Sequence, residues 1–267
     1  MPANILDRIL AVKQQEIADL KSRHSASELN ERMLGQAPVR SLSSALRSSE
    51  APGIIAEIKK ASPSEGIIRP DFDPETIAAG YRANGAAALS ILTDGQFFQG
   101  RLPYLEAVRP QIDLPLLRKD FIIDPLQIME SRAAGADAIL LIVAALAQTQ
   151  LKDLLETSRS VGLEALVEVH DLPEMVRALD AGATLIGVNN RDLKTFRTDL
   201  ATTETLAGSL SREHTLVAES GIKSGEDAAR MVRAGAQGIL VGTHLMRGAD
   251  PGLALKALRE DIRRCCA

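Results

Sequence analysis

The stretch AGADAILLIV at residues 134–143 contains the pattern that decides the fold. A helical pattern ends at its glycine, which can adopt the left-handed conformation that terminates helices, and an apolar run follows. Short runs that are apolar almost throughout are typical of parallel strands buried on both faces. The same arrangement recurs around Gly85, Gly182 and Gly235, so this stretch is one unit of a repeat.

Eight apolar runs of this kind occur, and each is followed by a helical pattern. They are GIIAEIKK (53–60), AALSILTD (87–94), LPLLRKDF (114–121), AILLIV (138–143), EALVEVH (164–170), LIGVNN (185–190), TLVAES (215–220) and GILVGT (238–243). The runs begin about 21 to 34 residues apart. Eight such βα units over about 215 residues predict a single closed (β/α)8 barrel, the TIM-barrel architecture. The alternative is a doubly wound sheet, which usually carries a G-x-G-x-x-G turn after an early strand, and the sequence has none.

Residues 1–50 precede the first predicted strand, and we interpret them as a helical extension of one domain that spans residues 1–267. Apolar residues recur there at helical spacing, at Ile5, Ile9, Val12, Ile17 and Leu20. A polar stretch follows, and a second short helix is predicted around Leu42, Ala45 and Leu46. Later helices are predicted to begin at aspartate caps, namely Asp73, Asp124, Asp171 and Asp250.

The composition excludes several functional classes. The chain has 267 residues and a formal net charge of −4, without a block of Lys and Arg, so a nucleic-acid partner is disfavoured. No apolar run approaches the roughly 20 residues that span a bilayer, and the first residues lack the apolar core of a signal peptide. The two cysteines, Cys265 and Cys266, are adjacent and are interpreted as free thiols in a reducing compartment. We therefore predict a cytoplasmic protein without a membrane partner.

Polar side chains stand at the carboxyl ends of several predicted strands, where barrels of this class build their active sites. Because side chains alternate along a strand, polar residues that share a face should point into one cavity. The candidates on this argument are Glu57, Lys59, Lys119, Glu168, Asn189, Arg191 and Glu219. Charges within apolar runs are costly to bury unless they are paired. Structural ion pairs at the barrel rim are therefore the alternative for any one of these residues.

A phosphate site is predicted after the last two strands, at Glu219-Ser220-Gly221-Ile222 and Val241-Gly242-Thr243-His244. Loops at these positions commonly bind phosphate in barrels, because glycine lets backbone N–H groups approach an anion. Ordinary turn glycines are the alternative.

Phe97 and Phe98 follow the second strand and either cover a substrate or pack against the first helix. The four histidines lack metal-ligand spacing, so no metal is predicted, and His170 is interpreted as a polar strand-end residue.

The same segments resemble the indole-3-glycerol phosphate synthase family. The resemblance runs through nearly the whole chain and begins at ILDRILAVKQQEIADLK (5–21). It continues through AEIKKASPSEGII (56–68), LTDGQFFQG (92–100), LRKDFIIDPLQI (117–128), LVEVH (166–170), IGVNNRDL (186–193), AESGI (218–222) and VGTHLM (241–246). It implies the form of the enzyme that carries one barrel, without a fused phosphoribosylanthranilate isomerase.

The resemblance implies ring closure of 1-(2-carboxyphenylamino)-1-deoxyribulose 5-phosphate, with loss of CO2 and water and without a cofactor. It places the general acid on Lys119, an anion-binding role on Lys59 and proton transfer during dehydration on Glu168. Glu57 and Glu219 would keep the two lysines charged and oriented. Asn189 is also predicted to be a catalytic residue. The predicted substrate-binding residues are Ser62, Phe98, Phe121, Arg191, Ser220, Gly221, Gly242 and Thr243. The resemblance names no protein partner.

Two other functions stay open at this point. A sugar-phosphate isomerase on the same fold would place Cys and Asp at strand ends, but both cysteines lie in the tail. An inactive barrel kept for binding would have lost a charged strand-end residue, whereas Lys59, Lys119 and Glu168 are all present. The sequence departs from the family pattern at three places, which are Arg101, Leu126 and Thr243-His244.

Overall fold

The computed structural model describes residues 5–49, 52–192 and 195–266, and a closed ring of eight parallel strands lies at its centre. Each strand pairs with the next along the chain, and the last pairs with the first. Every strand falls within its predicted run, so the (β/α)8 barrel is confirmed. The strands are β1 (Gly53–Ile58), β2 (Ala88–Leu92), β3 (Leu116–Lys119), β4 (Ala138–Ile142), β5 (Glu164–Val169), β6 (Leu185–Asn189), β7 (Thr215–Glu219) and β8 (Gly238–Val241).

Three helices precede the barrel, namely α1 (Ile5–Arg23), α2 (Ala26–Leu34) and α3 (Leu42–Arg47). The sequence predicted α1 and α3, but α2 falls in the stretch interpreted only as polar. Its Ser25 cap accepts the Glu28 N–H at 3.1 Å, and Leu29 is the buried residue of this otherwise polar helix. Residues 1–4 and 50 of the predicted extension lie outside the described residues.

The remaining helices surround the ring, and four of them begin at the predicted aspartate caps. The Asp73, Asp124, Asp171 and Asp250 side chains each accept a backbone N–H from the first turn of the helix that follows. Within the described ranges, no helix is long and apolar enough to cross a membrane. These helices are α4 (Pro74–Ala83), α5 (Leu102–Val108), α6 (Pro125–Ala133), α7 (Gln148–Ser160), α8 (Leu172–Asp180), α9 (Ala201–Ala207), α10 (Gly225–Arg233), α11 (Thr243–Met246) and α12 (Pro251–Cys266).

The apolar core has two layers, because the strand side chains alternate. One layer lies between strands and helices, and the other fills the barrel interior with residues such as Ile55, Leu117 and Leu166. Leu42 and Leu46 of α3 belong to the interior layer and close the amino-terminal end of the barrel. The opposite end, at the carboxyl termini of the strands, is therefore the one that stays open for a ligand.

Candidate active site

A cavity of about 440 Å³ opens at the carboxyl ends of the strands. All the residues that the sequence predicted for the site line this cavity. They are Glu57, Lys59, Ser62, Phe98, Lys119, Phe121, Glu168, Asn189, Arg191, Glu219, Ser220, Gly221, Gly242 and Thr243. Their individual roles stay predictions.

Lys119, at the end of β3, lies between two carboxylates on the cavity floor. Its Nζ is 2.9 Å from Glu168 Oε2 and 2.8 Å from Glu219 Oε2. Asn189 Nδ2 donates to the other oxygen of Glu168 at 3.1 Å. Burial opposes the charge on Lys119, but the neighbouring carboxylates outweigh it and raise the lysine pKa above its ordinary value. Burial likewise opposes the charge on Glu168, yet Lys119 holds the pKa of that carboxyl well below its usual range.

Glu219 differs from Glu168, although both contact the same lysine. Burial raises the pKa of Glu219, and the Glu168 carboxylate raises it further against the opposing effect of Lys119. Its Oε1 is buried and receives no hydrogen bond within the described residues. A Cβ on Gly187 of the neighbouring strand β6 would overlap that oxygen, so only glycine leaves room for this carboxylate. The floor therefore combines an ionised glutamate with one that holds a proton more readily.

A second ion pair lies at the end of β1. Lys59 Nζ is 2.5 Å from Glu57 Oε2, and both side chains are nearly buried. A Cβ on Gly242, which follows β8, would overlap Glu57 Oε2 and would lie 3.1 Å from Lys59 Nζ. The absence of a side chain at Gly242 therefore lets the loop after β8 approach this pair closely.

The loop after β7 has the backbone geometry expected of a binding turn. Ser220 has φ +64° and Gly221 has φ +86°, both in the left-handed region. Asn190 Nδ2 donates to the Ser220 carbonyl at 3.2 Å and holds this turn in place. A left-handed serine is strained, and such strain concentrates at functional sites. Ser62 and Thr243, the other residues of the predicted phosphate site, also line the cavity.

Aromatic and aliphatic side chains form the opposite wall. The Phe98 and Phe121 ring centroids are 6.2 Å apart, and both rings line the cavity. Residues Ile5, Leu6 and Ile9 of α1 line the same cavity. Phe98 therefore lines the cavity, whereas Phe97 is not among its lining residues, and whether the pair covers a ligand or packs against the first helix stays a prediction.

Arg191 connects two loops across the cavity mouth. Its Nη1 donates to Ser64 Oγ at 3.1 Å, and Ser64 lies in the hairpin formed by Ala61–Ser62 and Gly66–Ile67 after β1. The Arg191 Nε is buried and has no hydrogen-bond partner within the described residues. This guanidinium therefore keeps an unused donor for an anionic group of a ligand.

His170, just after β5, lies behind the floor between two glutamates. Its Nδ1 is 3.0 Å from Glu174 Oε2, and its Nε2 is 3.3 Å from Glu168 Oε1. Burial favours the neutral ring, but the two carboxylates outweigh burial and raise the pKa of His170 to about 10. His170 is thus a polar strand-end residue, as predicted, and a cation that supports Glu168 from outside the cavity.

Replacing His170 by asparagine is expected to change how stability depends on pH. The folded-state pKa of about 10 exceeds the ordinary value of 6.5, so the imidazolium stabilises the fold fully below pH 6.5. This contribution is lost as the pH rises through about 10. Urea unfolding of both proteins measures this contribution. The unfolding free energy of the wild type should exceed that of His170→Asn by more near pH 6 than near pH 10. An excess that is equal at both pH values would contradict the proposed pairing.

Comparison with known proteins assigns the family. The family model for indole-3-glycerol phosphate synthase matches residues 6–258. The chain belongs to the indole-3-glycerol phosphate synthase family. One relative of this name, from Albidiferax ferrireducens, is 50% identical over 96% of this chain and 98% of that protein. Another, from Acidithiobacillus ferrooxidans, is 50% identical over 97% of this chain and 99% of that protein. The protein of that name from Laribacter hongkongensis is 47% identical over 96% of this chain and 99% of that protein.

Solved structures at lower identity support the fold alone. Thiamine phosphate pyrophosphorylase from Pyrococcus furiosus matches with a TM-score of 0.62 and 17% identity, covering 85% of this chain and 100% of that one. A mandelate oxidase variant with (S)-mandelic acid also matches with a TM-score of 0.62 and 17% identity, covering 79% of this chain and 72% of that one. Barrels of this shape thus occur outside the indole-3-glycerol phosphate synthase family.

The three departures from the pattern of the indole-3-glycerol phosphate synthase family fall in different places. Arg101 is exposed at the position before α5, and Leu126 is half-buried in the first turn of α6. Neither of these two residues lines the cavity, whereas Thr243 and His244 both do. The departure at Thr243-His244 therefore falls in the predicted phosphate site, and those at Arg101 and Leu126 do not.

One group of buried charges escaped the sequence analysis. Lys13 of α1, Asp94 after β2 and Asp120 after β3 are each at most 3% exposed. The apolar stripe predicted for α1 included Val12, but Lys13 is buried and Val12 is only half-buried. The usable signal is the four-residue spacing of Ile9, Lys13 and Ile17, which puts the lysine in the middle of the buried stripe.

Proposed function

We propose that this chain converts 1-(2-carboxyphenylamino)-1-deoxyribulose 5-phosphate into indole-3-glycerol phosphate, with release of CO2 and water. The observation that carries the proposal is the Lys119 ammonium held between Glu168 and Glu219 at the floor of a cavity with one aromatic wall. The relatives named for this reaction cover nearly the full chain, which supports the same proposal.

The cavity offers a place for each part of this substrate. The turns at Ser220-Gly221 and Gly242-Thr243, together with Ser62, suit the phosphate. The Phe98 and Phe121 rings suit the anilino ring, since aromatic pairs favour such offset contacts. Arg191 and Lys59 supply cations for the carboxylate and the phosphate. The substrate would then span the floor with its ribulose carbonyl above Lys119.

Ring closure is the first chemical step. Lys119 donates a proton to the carbonyl oxygen while the ring carbon that bears the carboxylate attacks the carbonyl carbon. The carboxylate then leaves as CO2, and its bonding electrons restore the aromatic ring, so this step needs no external electron sink. Lys119 suits this role because its neighbours keep it protonated until the substrate oxygen gains charge.

Dehydration completes the indole. The hydroxyl formed from the carbonyl accepts a proton from Lys119, once that lysine has been reprotonated, and leaves as water, while the neighbouring carbon loses a proton. Glu168 is ionised, contacts Lys119 and is therefore the base for this proton. Glu219, which holds a proton more readily, can return one to Lys119 across the 2.8 Å contact between them. Asn189 keeps Glu168 oriented through its own hydrogen bond.

We also propose that the protein acts in the cytoplasm, on this small phosphorylated substrate, without a nucleic-acid or membrane partner. The net charge of −4 and the two exposed free thiols, Cys265 and Cys266, support this proposal. Residues 1–267 would act as one domain, with residues 1–50 as its helical extension, since α1 contributes to the wall of the cavity.

Indole fluorescence tests the proposal directly, because the chain contains no tryptophan. The purified protein is mixed with the carboxyphenylamino-deoxyribulose phosphate, and indole emission and CO2 release are recorded together. A saturable rise in both signals, absent without protein, is expected. Substrate binding without either product would overturn the proposal in favour of an inactive barrel. Failure to bind the substrate would overturn the assignment of the ligand as well.

A further inference from the structure

A buried cluster of charges joins the extension to the barrel beside the proposed active site. Lys13 of α1 is 1% exposed, and its Nζ lies 2.8 Å from Asp120 Oδ1 and 3.2 Å from Asp94 Oδ2. Glu16, one turn along α1, contacts the same Nζ at 2.6 Å. Burial opposes the charge on Lys13, but Asp120 and Asp94 outweigh burial and raise its pKa. Lys13 is therefore an ammonium that joins α1 to two separate loops.

Each aspartate also holds a phenylalanine of the cavity wall. Asp94 Oδ1 accepts the backbone N–H groups of Phe97 at 2.8 Å and Phe98 at 3.2 Å. Asp120 Oδ1 accepts the Phe121 N–H at 2.8 Å, and Asp120 directly follows Lys119. The positions of both rings therefore depend on carboxylates that share the Lys13 ammonium.

The barrel fixes Asp120 from its other side. Asp120 Oδ2 accepts a hydrogen bond from Thr93 Oγ1 at 2.5 Å and another from Arg118 Nη2 at 3.2 Å. Arg118 is in turn paired with Glu130 at 2.8 Å. Asp94 lacks comparable support in the described part of the chain, since its Oδ2 accepts no hydrogen bond there and has the Lys13 ammonium at 3.2 Å. Loss of Lys13 would therefore affect Asp94, and the Phe98 backbone it holds, more than Asp120.

We propose that Lys13 is a positioning residue that holds the wall formed by Ile5, Leu6, Ile9, Phe98 and Phe121 against the aromatic part of the substrate. The inference rests on the proposed function, because that function supplies the aromatic substrate. Lys13 lies one turn from Ile9 on α1, so the contact that holds the helix also holds its aliphatic side chains at the cavity. Within the described residues, no hydrogen bond or ion pair connects this cluster to Gly221 or Gly242 at the opposite end of the cavity.

The test compares Lys13→Met with Lys21→Met. Lys21 is the matched control, because it also joins α1 to the barrel, through an exposed ion pair with Asp124 at 2.6 Å. For Lys13→Met we expect KM for the substrate to rise about 10- to 100-fold with a much smaller change in kcat, since misplaced binding groups cost up to about 10²-fold. Inhibition by inorganic phosphate should be unchanged, because the phosphate loops are separate. Lys21→Met should resemble the wild type in all three measurements.

Several results would overturn the inference. They are an unchanged KM in Lys13→Met, an equal loss of affinity for substrate and inorganic phosphate, or an equal rise of KM in Lys21→Met. Asp94→Asn is the second variant if Lys13→Met does not fold, because asparagine keeps the acceptor for Phe98 and loses the charge. It should raise KM several-fold with kcat nearly unchanged, and an unchanged KM would overturn the inference too. Wild-type turnover tests the proposed function separately, so the two failures are distinguishable.

Discussion

Lys119→Ala is expected to reduce turnover by about 10³-fold or more, since a positioned general acid contributes about 10²- to 10⁴-fold and the variant also loses the cation at the carbonyl. The fold should persist, because Glu168 and Glu219 can share a proton once the lysine between them is gone. Initial rates of indole formation measure the loss, and circular dichroism with thermal unfolding checks the fold.

Two further variants isolate the acid role. Lys119→Arg keeps the positive charge, but a guanidinium does not release a proton in proteins, so turnover should stay low. Lys152→Ala removes an exposed lysine of α7 and should leave turnover unchanged. Full activity in Lys119→Ala, or restoration by arginine, would exclude Lys119 as the general acid.

Glu168→Gln is expected to reduce indole formation by about 10²- to 10⁴-fold, because the amide keeps the shape of the side chain and removes the base. Within a single turnover, CO2 release should slow less than indole formation, since Lys119 still carries out ring closure and only dehydration loses its proton acceptor. A single-turnover experiment should therefore show CO2 appearing before indole. In Lys119→Ala, by contrast, both products should be lost together.

Glu164→Gln is the matched control for Glu168, because Glu164 lies on the same strand at the opposite end of the barrel. It accepts a hydrogen bond from the Ser43 N–H at 2.9 Å and does not line the cavity. Turnover should be that of the wild type, although α3 loses a contact. Equal losses of CO2 and indole in Glu168→Gln would contradict a role limited to dehydration.

The strands and the direction of their side chains could be predicted because they depend on local sequence. An apolar run with a polar end is visible in the chain itself, and alternation then places Lys119 and Glu168 in the cavity. The contacts among these groups could not be predicted, since Lys119 and Glu219 are 100 residues apart. The distance between their atoms depends on how the barrel closes, which no local pattern specifies.

The buried cluster at Lys13 escaped prediction for a related reason. A lysine in an amphipathic helix is ordinarily solvated, because burying an unpaired ammonium is costly. The burial of Lys13 becomes favourable only with Asp120, 107 residues further along the chain. Helix α2 was overlooked because its composition is polar, and its burial depends on Leu29. Sequence patterns identify buried apolar residues well, and they miss polar residues whose partners are distant.

The closure of the ring has a consequence for synthesis on the ribosome. β1 pairs with β8, with Gly53 opposite Gly238, and Leu46 of α3 packs against both glycines at this seam. At translation rates of about 5–20 residues per second, roughly 10 to 40 s pass between the synthesis of the two strands. During that time the nascent chain carries unpaired strand edges, which are templates for pairing with other chains. A chain truncated before residue 238 would keep them permanently.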